Sequence, residues 1–439
     1  MPTAQILTIG DELLSGDTVN TNLAFLGERL RQLGFEVVRA LSVRDRIPEI
    51  VAAIGEVSVD LCLVSGGLGP TSDDLTAEAV ALAAGVPLVR DAASEAAIAA
   101  MFAAMGRPMP DINRKQADLP AGCDVLQNPI GTAPGFAVGL PRGSYVACMP
   151  GVPREMKRMM TEQIEPRLRR RFALPDIPRR IYRLIGRGES AVAVEIEPIL
   201  AAARARSPGL AAVYLHYRAA TPQVLLILEG LAGEGGARAT EEELRSFDAP
   251  FQAALGSSLY GIGEAELEVR VLDACRLAGL TLATAESCTG GQVAARLTAI
   301  AGSSQVFQGG VVAYANGVKT AVLGVAEDTL QTHGAVSEPV ARAMAEGARR
   351  ALSADVAVAI TGIAGPGGGT PEKPVGTVDF AVADAEGCMH KRVQLWGDRA
   401  LIQHVAGIVA LKLVWDRLVA RGLARVCELD AAGFSGDRR

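Results

Sequence analysis

Residues 4–9 form a short apolar run closed by Gly10, the pattern of a buried strand. Leu23, Leu26, Leu30 and Leu33 then recur at spacings of three and four as far as Gly34, which predicts a helix with one apolar face and a glycine stop. A strand over 35–43, a helix over 47–57 and a strand over 59–64 complete a β-α-β-α-β series, the grammar of a parallel sheet with crossover helices. The strand-like run 145–149 leads into Pro150-Gly151, and Pro153 suits the first turn of a helix. Residues 167–183 hold seven Arg and one Asp, are interrupted by Pro175 and Pro178, and read as a domain boundary with a solvated basic face. A smaller α+β pattern follows: strand 180–186, helix 189–205, strands 211–217 and 223–229, helix 237–254. The segment 255–263 reads as a second linker. Beyond it the pattern predicts a helix over 264–278, strands over 280–285 and 355–361, and a last helix over 398–421, with 430–439 as a frayed end.

Composition narrows the class. With 439 residues the chain has room for about three domains. Hydrophobic residues at 49% and charged residues at 21% exclude a disordered chain. A net charge of −6 and only 4% aromatics argue against nucleic acid as a direct partner. Seven scattered Cys without a C-x-x-C, and four His never paired at ligand spacing, predict a reduced cytoplasmic protein without disulfides or zinc. The N-terminal residues lack the basic start and apolar stretch of a signal peptide, and no uncharged apolar run is long enough to span a membrane.

Two glycine-rich strand ends carry candidate chemistry in the first domain. One runs from Gly10-Asp11-Glu12 to Asn22; the other is Ser65-Gly66-Gly67-Leu68-Gly69-Pro70-Thr71-Ser72-Asp73-Asp74. Ligands of open parallel sheets sit beyond the C-terminal strand ends. Clustered glycines let backbone N–H groups approach an anion, and a helix starting near Asp73 adds its dipole. Four carboxylates beside such a loop suggest Mg²⁺ held between protein and phosphate oxygens. Gly186-Arg187-Gly188, by contrast, fits a dinucleotide fingerprint only superficially, because Pro208-Gly209-Leu210 stand where an acidic residue is needed.

In the last third, Ala285-Glu286-Ser287-Cys288-Thr289-Gly290-Gly291 follows an apolar strand, and a helix beginning near Gly291 is expected to point free N–H groups at this turn. Cys288 is a candidate thiolate nucleophile at that helix start, although no neighbouring motif offers a His as its base. Ser303 or Ser304 with Lys319, the only Lys between Lys157 and Lys373, offers a serine activated by a desolvated amine. On the residues alone the choice stays open.

The segments GDELLSGDTVNTN (10–22), SGGLGPTSDDLT (65–76), NPIGTAPG (128–135) and PGVPREMK (150–157) resemble the N-terminal domain of the CinA, or competence/damage-inducible, family, and molybdopterin-binding domains of the same fold. AESCTGG (285–291), GSSQVFQGGVVAYANGVK (302–319), GAVSE (334–338), TGIAGPGGG (361–369) and KPVGTV (373–378) resemble its C-terminal domain, which is similar to nicotinamide-mononucleotide deamidase. The resemblance implies an α/β protein: a three-layer αβα molybdopterin-binding-like domain (1–172), a small KH-like α+β domain (173–257), an α/β deamidase domain (258–424) and a tail (425–439).

For the first domain the resemblance implies hydrolysis of ADP-ribose-type pyrophosphates with Mg²⁺ or another divalent cation. Asp11, Glu12, Asp73 and Asp74 would hold the metal. Asn22, Gly66, Gly67, Gly69 and Thr71 would line the ligand, with Asn128, Gly131 and Thr132. For the last domain it implies cofactor-free deamidation of nicotinamide mononucleotide, in pyridine-nucleotide salvage. Ser304 is then the nucleophile and Lys319 its base, with Ser287, Tyr314 and Thr361 at further catalytic positions. Thr289, Gly290, Gly291, Gly365, Gly367 and Arg399 would contact substrate. A homodimer is expected. The rival readings are a molybdopterin-binding or adenylyl-transfer module, and a non-enzymatic partner of competence or recombination proteins.

Overall fold

Alternation of apolar strands with amphipathic helices yields two layered α/β units in the computed structural model, which describes residues 1–56, 58–231 and 237–429. The units are Met1–Ile177 and Pro178–Arg439. In the first, strands β1 (Thr3–Ile9), β2 (Glu36–Val43), β3 (Leu61–Ser65), β4 (Leu88–Arg90), β5 (Asp118–Pro120), β6 (Asp124–Leu126), β7 (Gly135–Gly139) and β8 (Tyr145–Met149) follow in chain order. Six of them form one sheet in the order β2-β1-β3-β8-β7-β6. The first four of that order are mutually parallel, as the β-α-β pattern predicts, while β7 and β6 close the edge antiparallel. The helix Thr21–Leu33 buries Leu26, Leu30 and Leu33 on one face of the sheet and ends at Gly34 in the left-handed conformation. Ile50, Ile54, Ala79 and Val80 cover the other face, so the sheet is sandwiched between helical layers.

The second unit holds two sheets. Strands β9 (Arg179–Ile185), β10 (Val213–Ala220), β11 (Gln223–Gly230) and β12 (Leu259–Ile262) form an antiparallel sheet in the order β10-β11-β9-β12. The reading of 255–263 as a linker is therefore corrected: Leu259, Tyr260 and Ile262 are buried, and β12 pairs directly with β9. A four-residue strand between glycines and serines carries too little pattern to stand out. The reading of 425–439 as a tail also changes, because Cys427 and Leu429 hydrogen-bond along Ile262; 430–439 lie outside the described residues.

Strands β13 (Leu282–Glu286), β14 (Phe307–Val312), β15 (Val356–Gly362), β16 (Thr377–Asp384) and β17 (Gly387–Gln394) form the other sheet, in the order β14-β13-β15-β16-β17. β13 runs parallel to both β14 and β15, whereas β16 and β17 are antiparallel. One face presents Val358, Ile360, Phe380 and Val382 to the 22-residue helix Arg399–Ala420. The opposite face presents Ala283, Ala285, Ala357, Ala359, Ala381 and Ala383, small enough for the helix Glu338–Ala351 to lie close against three strands. Among the described residues no helix is long and apolar enough to cross a membrane.

Candidate functional site

In the first unit the ends of β1 and β3 converge on a cavity of about 420 Å³ lined by Glu12, Asp45, Asp73, Asp74 and Glu155 together with the glycines of the 66–69 loop. Gly66 has φ +113°, and a Cβ there would stand 2.1 Å from the Ile9 carbonyl oxygen, so only glycine lets the two strand ends approach. Asn22 ties the cradle together: its Nδ2 donates to Ser65 Oγ at 3.0 Å and to the Gly151 carbonyl at 2.7 Å. Asn128 Nδ2 donates to Glu155 Oε2 at 2.7 Å and to the Ala133 carbonyl at 2.9 Å. A side chain at Gly131 would collide with Glu155. Thr132 Oγ1 accepts from Gln116 Nε2 at 3.2 Å.

The helix expected near Asp73 begins instead at Thr76. Asp74 closes its own turn, its carboxylate accepting from Thr71 N at 2.8 Å and Thr71 Oγ1 at 2.5 Å, which ties up Thr71. Asp45, which sequence reading missed, joins the cluster by accepting from the Asp11 backbone N–H at 3.1 Å. Burial raises its pKa above the ordinary carboxylate value, and repulsion from Asp11, Glu12 and Asp73 raises it further. A cation would relieve that repulsion. Among the described residues no three carboxylate, His or Cys groups converge into a closed cage. Mg²⁺ needs only one or two carboxylates when phosphate oxygens and water supply the rest.

In the second unit the site lies at the C-terminal ends of β13, β14 and β15. Lys319 sits on the short helix Asn316–Leu323 and is 1% exposed. Its Nζ donates to Ser287 Oγ at 3.1 Å and to the carbonyls of Ala313 and Tyr314 at 2.8 and 3.2 Å. Burial pulls its pKa below the usual lysine value. Arg399, at the start of the last long helix, donates to the Gly365 carbonyl at 2.8 Å and to Tyr314 OH at 3.0 Å. Thr361 Oγ1 donates to the Ala335 carbonyl at 2.8 Å.

Two expectations are corrected here. The N–H groups at the Gly291 turn are not free: the buried Glu286 carboxylate accepts from Gly291 N, Val293 N, Ala294 N and Thr289 Oγ1 at 2.8–3.1 Å. Glu286 was inside a quoted motif, but nothing in its spacing announced this role. Second, Lys319 partners Ser287, not Ser304. Ser304 precedes β14 and is exposed, and the neighbouring Val306 carbonyl accepts from Leu282 N at the start of β13. Ser287 follows the end of β13, where its N–H donates to the Ile360 carbonyl. A strand of six residues, roughly 15–20 Å long, separates the two ends.

Cys288 is 4% exposed, and burial pushes its thiol up to about 12, the opposite of an activated thiolate. Cys288→Ser should therefore keep any activity of this site within a factor of a few of the parent, as a steady-state assay would read.

Residues 264–418 match the family profile of the CinA C-terminal domain, and residues 5–170 match that of a probable molybdopterin binding domain. A CinA-like protein of Citrifermentans bemidjiense is 42% identical, covering 95% of this chain and 97% of its own. One from Gemmatimonas aurantiaca is 42% identical over 98% of this chain and 99% of its own. Among solved structures, a CinA superfamily protein from Klebsiella pneumoniae is 38% identical over 35% of this chain and 96% of its own, with a TM-score of 0.34. A competence/damage inducible protein from Agrobacterium tumefaciens is 43% identical over 36% of this chain and 93% of its own, with a TM-score of 0.33.

Proposed function

We propose a function from one premise: this chain belongs to the CinA-like protein family, with a molybdopterin-binding-like domain followed by a CinA C-terminal domain. The CinA domain hydrolyses the carboxamide of nicotinamide mononucleotide to the acid and ammonia. The observation that carries this reading is a buried amine hydrogen-bonded to a serine hydroxyl. Ser287 Oγ attacks the amide carbon while neutral Lys319 Nζ takes its proton. Collapse of the tetrahedral intermediate breaks the C–N bond, and Lys319 returns the proton to the leaving ammonia. Water then attacks the acyl-serine ester, Lys319 again taking and returning one proton. Arg399, braced by Gly365 and Tyr314, supplies a cation for the nucleotide phosphate. The test is release of ammonia and nicotinate mononucleotide by the purified protein. Because burial lowers the Lys319 pKa, the neutral base becomes available below the ordinary lysine value of 10.5. The rate should rise with pH along a limb centred below that value; a rate falling over that range contradicts a lysine base.

The first domain, on the same reading, hydrolyses ADP-ribose-type pyrophosphates. Gly66 to Gly69 hold the phosphates, and one or two of the carboxylates Glu12, Asp45 and Asp73, together with phosphate oxygens and water, would hold a divalent cation, which neutralises phosphate charge when bound. A chelator should abolish ADP-ribose hydrolysis and leave deamidation untouched; equal loss of both contradicts two independent sites. A second reading has its own support. The matched profile is one of binding rather than hydrolysis, and the carboxylates form no closed cage among the described residues. On that reading the domain is a molybdopterin-binding or adenylyl-transfer module, and it binds ligand without turnover. A non-enzymatic role beside competence proteins predicts neither activity.

A further inference from the structure

A cavity of about 360 Å³ in the second unit shares no residue with either site described above. Its floor is one face of the helix Leu267–Leu277, which brings Arg270, Asp273, Ala274 and Leu277 into line at spacings of three and four. Trp415 of the last long helix forms one wall, and the segment that returns from that helix to β12 forms the other, with Arg425 on it. Exposure rises along the floor from 1% at Arg270 and 6% at Ala274 to 69% at Leu277, so the cavity deepens from Leu277 toward Arg270.

The deep end holds a cation without a counter-ion. Arg270 donates to the carbonyls of Ala265 at 3.0 Å, Cys427 at 2.9 Å and Ile262. These bonds take three of its five N–H groups and supply no negative charge. The guanidinium is fitted against Gly261, where a Cβ would stand 2.1 Å from its Nε. Burial pulls its pKa down to about 10, the effect of holding a charge away from water. Asp273, the acid on the same helix face, is committed to Arg276 at 2.7 Å. Arg425 at the rim is exposed and makes no ion pair among the described residues. Two cations without counter-ions therefore line a mostly apolar cleft, in a chain whose net charge is −6. Buried charges are ordinarily paired.

We propose that this cleft binds an amphipathic monoanion, a carboxylate on an apolar or aromatic body. The carboxylate meets the remaining N–H groups of Arg270, whose planar fork matches one carboxylate. The body lies along Ala274 and Trp415 toward Leu277, and Arg425 attracts the anion at the rim. The cleft's volume falls within the range of about 300–1,000 Å³ usual for small-molecule sites. The proposal is independent of both activities proposed above.

The test is calorimetric titration of the full chain with three probes of one shape: 2-naphthoate, 2-naphthylmethanol and 2-naphthylmethylammonium. One equivalent of 2-naphthoate should bind, tenfold or more tighter than the alcohol, with the ammonium compound weakest. Arg425→Glu and Leu277→Glu change exposed positions, so both should keep the parent's melting temperature. Each should weaken 2-naphthoate tenfold or more. Arg270→Lys keeps the charge and loses the fork, so it should bind 2-naphthoate more weakly and still prefer it to the ammonium compound. Where Arg270→Lys fails to fold, the two surface variants decide. Absence of saturable binding, equal affinity for the three probes, or full 2-naphthoate affinity in either surface variant overturns the proposal. Binding that is lost in Lys319→Met and kept in Arg425→Glu places the probe in the deamidase site and overturns it as well.

Discussion

Ser287→Ala and Lys319→Met are each expected to cut deamidation by orders of magnitude, whereas Ser304→Ala keeps most of it. A 3.1 Å hydrogen bond joins the two residues, and the proposed mechanism uses them as one unit, so removing either should cost nearly as much as removing both. Lys319→Arg should also fail, because a guanidinium stays protonated near neutral pH and cannot accept the serine proton. Folding must be checked alongside. Lys319→Met removes a desolvated amine and keeps a similar volume, so a folded, inactive variant is the expected product. Ser304 stands exposed at the opposite end of β14 and touches none of these groups.

The second large effect belongs to Glu286. Glu286→Ala would strand the N–H groups of Gly291, Val293 and Ala294, together with the Thr289 hydroxyl, in a buried turn. At about 1–3 kcal/mol per orphaned group, partly relieved by water entry, the loss should be about 3–6 kcal/mol. For a domain of this size that lowers the melting temperature by roughly 8–15 °C. Deamidation should fall with it, since Ser287 is the next residue and is held by the same turn. Glu286→Gln keeps one acceptor oxygen and should lie between the two. Unchanged thermal unfolding in Glu286→Ala contradicts the structural role given to this carboxylate.

What the sequence shows and hides here follows from physical causes. The helix Thr21–Leu33 is legible because its leucines repeat at helical spacing and Gly34 ends it. The alternation of β1 to β3 with helices is legible because buried parallel strands read as unbroken apolar runs. Strand β12 is hidden by its four-residue length. Asp45 is hidden because it follows β2, an element whose end carries no glycine-rich loop to mark it. Glu286 is hidden because a carboxylate beside a glycine turn reads as catalytic or capping, and only three dimensions show how many donors it satisfies. Within one copy of the chain Ser304 does not pair with Lys319, and the reason is topological. β14 (Phe307–Val312) is an edge strand and runs parallel to β13. A residue before a parallel strand lies at the end opposite the crevice where ligands of such sheets bind. Spacing to Lys319 along the chain says nothing about that; strand direction does.

The most direct measurement is to quench the protein during turnover of nicotinamide mononucleotide and locate the acyl group by peptide mass mapping. The account predicts an adduct equal to the substrate less ammonia on the peptide bearing Ser287, absent in Ser287→Ala and present in Ser304→Ala. An adduct on Ser304 or on Cys288 would contradict it.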